Sequence, residues 1–332
     1  MADGLVMTTN SGFDGRSFAG SFGYGSGGGA AFLPGLQRTL RKPVQCSGIG
    51  LHCGHLVNLT LKPAPADTGI RFFRTDLNPS QAWINATWDR VSDTTLCTTV
   101  SNRHGHSVAT IEHLAAALAA TGIDNVVVEL DAPEPPAMDG SSEPFIDLIE
   151  SVGAVVQPAE RLMLRILKPI CVEDGEKSAA LLPCERPTMD VAIDFASPAI
   201  GQQRISLVLA GMAFREELAA ARTFGFAHEV AYMQSKGLAR GGSLDNAVVI
   251  QDDAVINAGG LRFPDEFVRH KALDAVGDLY LAGGPFLGRY VGNQAGHKLN
   301  NMLVRAVMAD ASAYEWTATV GPALQATRVA AQ

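Results

Sequence analysis

The sequence predicts an α+β protein built as two layered sheet-and-helix domains. In each half of the chain, strand-like runs come first and helical runs follow, which is the order of an α+β fold rather than of alternating βαβ units. The chain has 332 residues, 47% of them apolar and 18% charged, so it can bury a core in each of two domains. Between the halves, residues 153–160 read as a linker.

Residues 1–35 hold ten glycines and only three charged residues. No apolar period runs through them, and they read as a disordered leader. Folding is expected to begin near Leu36. Residues 57–61 (VNLTL) alternate as a half-buried strand does, and Pro63 and Pro65 end the run. Residues 69–75 and 94–100 are further β-like runs. The period then changes. Residues 109–120 (ATIEHLAAALAA) form a strong helix, apolar on nearly every face except at Glu112 and His113, and Thr121 and Gly122 end it. Residues 125–130 read as a buried strand, 131–140 as a proline-rich loop and 144–152 as a short helix. In the second half, residues 162–172, 178–182, 189–195 and 205–210 are β-like, and 214–222 is a helix. A mixed αβ excursion covers 224–250. After it come a helix at 265–278, a strand at 286–291 and a last helix at 296–313.

Composition excludes several classes. The formal charge is −8, from 26 basic and 34 acidic residues, and there is no basic run, so no nucleic-acid partner is expected. Five cysteines are spread along the chain with no C-x-x-C pair. That is neither a disulfide framework nor a cysteine zinc site, and it suits a reducing cytosol. No apolar run approaches the roughly 18 residues of a spanning helix. Asp3 stands where a signal peptide carries Lys or Arg. A cytoplasmic protein is expected.

The stretch 265–278 (DEFVRHKALDAVGD) carries the chemistry. Leu273, Val276 and Tyr280 share an apolar face, while His270, Asp274 and Asp278, with Lys271 beside them, form a second stripe. His270 and Asp274 stand at i and i+4, so both can reach one point. Asp274 and Asp278 are a like-charge pair costing a few tenths of a kcal/mol, which a nearby cation would relieve. A solvated polar face would carry the same spacing. Glu112 and His113 are the second anomaly, because a carboxylate on a buried helix is costly unless paired or metal-bound. A wet first turn, where Glu complements the helix dipole, is the alternative. Taken together, His113, His270 and Asp274 make a nitrogen-and-oxygen set that leaves zinc an open position, with Glu112 placed as general base. His297, after Gly296 at a helix start, is either a cap-region residue or an imidazolium held charged by Asp278. Thr223, amid aromatics in RTFGF, is weak evidence alone. There is no H-E-x-x-H, G-x-S-x-G or Walker A, and Gly48-Ile-Gly50-Leu-His-Cys53 fails the dinucleotide pattern at its last position.

From about residue 36 to about residue 316 the chain resembles the UDP-3-O-acyl-N-acetylglucosamine deacetylase family of lipid A biosynthesis. The resemblance rests on SGIGLHCG (47–54), TIEHLAAAL (110–118), GIDNVVVEL (122–130), PAMDGSSEPF (136–145), ARTFGF (221–226), LRFPDEFVRHKALDAVGDL (261–279) and AGHKLNN (295–301). In the last of these, Ala295 replaces the family's Ser. The resemblance implies two similar domains, here 36–153 and 160–318, each with a small insertion and with the active site between them; 319–332 would be a C-terminal tail. It implies His113, His270 and Asp274 as zinc ligands (Fe²⁺ also fits the set), Glu112 as base, His297 as the charged His opposite it and Asp278 as its partner. It assigns Thr223 to the oxyanion and Lys271 to a substrate phosphate. The insertion at about 224–250 would form the passage for the acyl chain, with Phe224, Phe226, Tyr232, Met233 and Leu238 as candidate lining. A monomer acting on an acylated UDP-sugar, near the membrane, is expected. A non-catalytic sugar-nucleotide or acyl-chain binding protein and a zinc amidohydrolase for another N-acetyl sugar are the alternatives.

Overall fold

Val57, Leu59 and Leu61 point inward from one strand face while their neighbours face out, and this alternation sets the first of two sheets against its helices. A computed structural model describes residues 35–318. Apart from Gly35, the expected leader lies outside the described residues, as does the tail at 319–332. The first half runs β1 (Gly35–Leu40), β2 (Val44–Ile49), β3 (Leu56–Pro63), β4 (Ile70–Arg74), β5 (Trp83–Asn85), β6 (Val91–Asp93), β7 (Thr99–Ser101), β8 (Ser107–Val108), α1 (Glu112–Thr121), β9 (Val126–Leu130), α2 (Glu143–Val152) and β10 (Ala154–Arg161). The second half begins with β11 (Met163–Ile166), β12 (Ile170–Asp174), β13 (Lys177–Leu182), β14 (Thr188–Asp194), β15 (Gln202–Val208) and α3 (Ala213–Glu217). It continues through β16 (Phe224–Phe226), α4 (Ala227–Ser235), β17 (Val248–Gln251), β18 (Ala254–Val255), α5 (Glu266–Tyr280), β19 (Phe286–Leu287), β20 (Arg289–Asn293), α6 (His297–Ala309) and β21 (Tyr314–Thr317).

The fold is α+β, as expected, and its halves repeat. The two five-stranded sheets have the orders β2-β3-β9-β4-β5 and β12-β13-β20-β14-β15. In each, the centre holds one parallel pair, β4 with β9 and β14 with β20, and the other neighbours are antiparallel. Between its fourth strand and its central strand, each half also carries a three-stranded insertion, β6-β7-β8 or β16-β17-β18, followed by a buried helix, α1 or α5. No sequence identity between the halves announces this.

Several elements differ from the sequence reading. The stretch read as linker is β10, hydrogen-bonded antiparallel to β1 and anchored by buried Arg161, whose Nε donates to Asp124. The run at 162–172 divides into β11 and β12, which lie in different sheets, with donor-less Pro169 between them. The strand at 286–291 divides at Gly288, where a Cβ would meet Ile166 Cγ1 at 2.8 Å. The helix at 214–222 stops at Glu217, because the following backbone bonds elsewhere: Ser142 and Glu143 N–H donate to Ala219, and Thr223 N–H donates to Gly140. The helix at 265–278 runs through Gly277 to Tyr280, and the last helix ends at Ala309.

Candidate active site

The site forms where α1 crosses α5. Alanines at 115–117 and 119 make α1 thin, and it is buried from Glu112 to Ala119. Gly277 does the same for α5: a Cβ there would stand 2.1 Å from the Glu112 carbonyl oxygen. Its role in the helix is close approach, since its backbone is helical. Gly122, at φ +69°, closes α1, and Ile123 N–H reaches back to the Leu118 carbonyl. At the other end, Thr110 is held at φ +53°, a strained setting for a β-branched residue; its hydroxyl donates to buried Glu134 (3.0 Å). Ser142 Oγ donates to the His113 carbonyl (2.8 Å), fixing the first turn from outside.

Across this contact, ligand-type atoms of His113, His270 and Asp274 lie within 4.8 Å of one another, all buried. His113 Nε2 and His270 Nε2 stand 3.5 and 3.4 Å from Asp274 Oδ1, and the two rings meet edge-on at 4.9 Å between centroids. His270 Nδ1 bonds the Ala221 carbonyl at 3.0 Å, which places its proton there and leaves Nε2 with the free lone pair. Burial drives the His270 pKa down to about 3, so it is neutral. Asp274 Oδ1 is buried with no hydrogen-bond partner, while Oδ2 accepts Lys271 Nζ at 2.7 Å. Burial alone would favour the neutral acid, but His270 and Lys271 outweigh it and hold Asp274 well below the usual carboxylate range. The Nε2 atoms of His113 and His270 and an orphaned carboxylate oxygen facing one point fit a divalent cation.

Beside this triad stand Glu112 and His297. Glu112 Oε2 accepts the Thr98 N–H (3.0 Å), and Oε1 faces His297 Nε2 at 3.8 Å. Burial raises the Glu112 pKa against the opposing pull of His297. His297 Nδ1 bonds Asp278 Oδ2 at 2.9 Å. Burial works against its charged form, but Asp278 and then Glu112 more than offset this and raise its pKa to about 9. Asp278 is further held by Asn300 Nδ2 (2.8 Å) and Thr98 Oγ1 (2.5 Å), and Asn300 by the Tyr290 hydroxyl (2.6 Å). Sequence reasoning missed Thr98 and Asn300. Asn300 had a signal, three residues after His297 on one helix face; Thr98 had none.

Thr223 opens the second insertion. Its N–H donates to Gly140, and its carbonyl accepts Val248 N–H. The residue before it, Arg222, pairs with wholly buried Glu266 of α5 (2.8 Å), and Glu266 also accepts the Arg222 N–H. Phe224 lies edge-on to His270 at 6.2 Å between centroids and under Lys271 Nζ at 5.7 Å. Burial would lower the Lys271 pKa, but Asp274 raises it. From Phe224 the aromatic run continues to Phe195 and Phe226, which line an open cleft of about 580 Å³. Tyr232 and Leu238 are 65% and 39% exposed, and Met233 is half-buried.

The family model described as UDP-3-O-acyl N-acetylglycosamine deacetylase matches residues 37–309. A protein from Photobacterium profundum named UDP-3-O-acyl-N-acetylglucosamine deacetylase is 50% identical over 282 residues, covering 84% of this chain and 92% of that one. Proteins of the same name from Vibrio parahaemolyticus (48% over 283 residues, 85% and 92% covered) and Shewanella halifaxensis (49% over 282, 84% and 92%) are similarly close.

Proposed function

The chain belongs to the UDP-3-O-acyl N-acetylglycosamine deacetylase family, and from that premise we propose that it is a zinc-dependent amide hydrolase. Its substrate would be UDP-3-O-[(3R)-3-hydroxyacyl]-N-acetylglucosamine, its products acetate and the free amine, and its setting lipid A biosynthesis. The observation that carries the reading is the orphaned, buried Oδ1 of Asp274 facing the Nε2 atoms of His113 and His270 beside an uncommitted Glu112 oxygen. Zinc (or Fe²⁺) held by His113, His270 and Asp274 would supply a Lewis acid for the amide carbonyl and lower the pKa of water towards about 7.

The chain's own residues do the rest. Glu112 takes the proton from the attacking water through Oε1, since Oε2 is committed to Thr98. Its raised pKa suits it to hold that proton until the C–N bond breaks. His297 stays protonated at neutral pH and presents Nε2–H to the developing oxyanion, with the Thr223 hydroxyl as a second donor. His297 or Glu112 then protonates the departing nitrogen. Lys271 has three N–H donors, of which Asp274 uses one, and the remaining two can meet a substrate phosphate. Phe224 and the insertion at 224–250 would receive the acyl chain. The enzyme would be monomeric and work in the cytoplasm beside the membrane, where an acylated substrate would lie; five free cysteines suit a reducing compartment.

The test is acetate release from the acylated UDP-sugar by metal-stripped protein, with and without stoichiometric zinc. Zinc-restored turnover supports substrate, reaction and cofactor together. Folded, zinc-loaded protein that binds the substrate without turnover would replace this reading with a binding protein. Turnover indifferent to the acyl chain would replace it with an amidohydrolase for another sugar.

A further inference from the structure

Thr98 lies between β6 and β7 in the first insertion and is 2% exposed; its side chain touches no reacting atom. It nonetheless touches both sides of the chemistry. Its N–H donates to Glu112 Oε2 (3.0 Å), its carbonyl accepts the N–H of Ile111 just before α1 (3.4 Å), and its hydroxyl donates to Asp278 Oδ1 (2.5 Å). The other Asp278 oxygen is already occupied by His297 and Asn300.

We propose that Thr98 is a positioning residue for the deacetylation: its hydroxyl fixes the Asp278 carboxylate against His297, while its backbone turns Glu112 so that Oε1 faces the reacting atoms. The inference rests on the deacetylase reading and extends it to the insertion. The same insertion is fastened to the helix that His297 begins. Arg305 Nη2 donates to the Val91 carbonyl (3.0 Å), and Asn301 Nδ2 donates to the Trp88 carbonyl (3.3 Å). Base, imidazole and aspartate are thereby referred to one small sheet. Without the hydroxyl, Asp278 Oδ1 would be left without a donor in a side chain only 3% exposed, and the carboxyl group would turn to find one.

The experiment compares Thr98→Val, which keeps the shape and removes the donor, with Thr98→Ser, which keeps the donor. Steady-state kinetics, bound metal and thermal midpoint are measured on each. Thr98→Val should lower kcat about tenfold or more, with KM within about twofold and metal content unchanged, and Thr98→Ser should recover most of the loss. Wild-type kcat in Thr98→Val, equal losses in both variants, or a loss that tracks lost metal would overturn the proposal. If Thr98→Val does not fold, Thr98→Ser is set against Thr98→Ala, and equal kcat values there overturn it. An inactive wild type removes the deacetylase reading and this inference together; an active wild type with an unaffected Thr98→Val removes only the second.

Discussion

Glu112 is buried with one oxygen committed to a backbone N–H and the other facing an imidazolium 3.8 Å away. Replacing it by Gln keeps the shape and the bond from Thr98 but removes the carboxylate proposed as base. Glu112→Gln is therefore expected to lose about 100-fold or more in kcat while retaining metal, as read by elemental analysis; loss of metal would make Glu112 a ligand instead. His297 supplies the pH dependence. Its pKa is raised from 6.5 to about 9 in the folded chain. The stability it contributes is thus complete below 6.5 and is lost as pH rises through about 9. Activity should fall over the same alkaline range as the imidazolium loses its proton. In Asp278→Asn the chief raising partner is gone and burial is opposed only by Glu112 and Asp274, so the alkaline limb of kcat/KM should move to lower pH. A limb that stays in place would mean that another group titrates there.

At the scale of elements, the contact between α1 and α5 decides whether the site exists. Gly277→Ala sets two effects against each other. Alanine in a helix interior gains about 1 kcal/mol over glycine, but here its Cβ would lie 2.1 Å from the Glu112 carbonyl oxygen, and separating two packed helices costs about 1–3 kcal/mol. Packing should win. The variant is expected to melt lower than the wild type and, with the proposed ligand set, to bind zinc more weakly, because His113 would part from His270 and Asp274; a higher thermal midpoint with full metal would show that the helices yield without cost. These helices were legible because their signals are local. The i,i+4 spacing of His270 and Asp274 and the carboxylate on an alanine-rich helix are properties of neighbouring residues. The role of Gly277 was not legible, since it depends on a backbone more than a hundred positions earlier in the chain. Thr98 was invisible for the same reason. Residues 153–160 were misread because a strand that pairs only with β1 needs little apolar period of its own.

Across the whole molecule, one hydrophobic cluster contains residues of both halves, from Leu59 and Leu118 to Leu273 and Leu303. Heating should therefore give a single cooperative transition, with calorimetric and van't Hoff enthalpies in agreement; two resolved transitions would show that the halves hold their own cores. The equal strand orders of the two sheets have a further consequence. Helices α1 and α5 occupy the same slot in their respective halves, so their crossing has the character of an isologous contact, like that of a dimer whose copies have been joined in one chain. Two identical subunits would have to present ligands across such a contact in mirrored pairs, giving even-numbered sets. A set of three, His113 from one helix against His270 and Asp274 from the other, is open only to copies that can change independently. In the zinc enzyme proposed above, that freedom would leave one position of the metal to water or substrate.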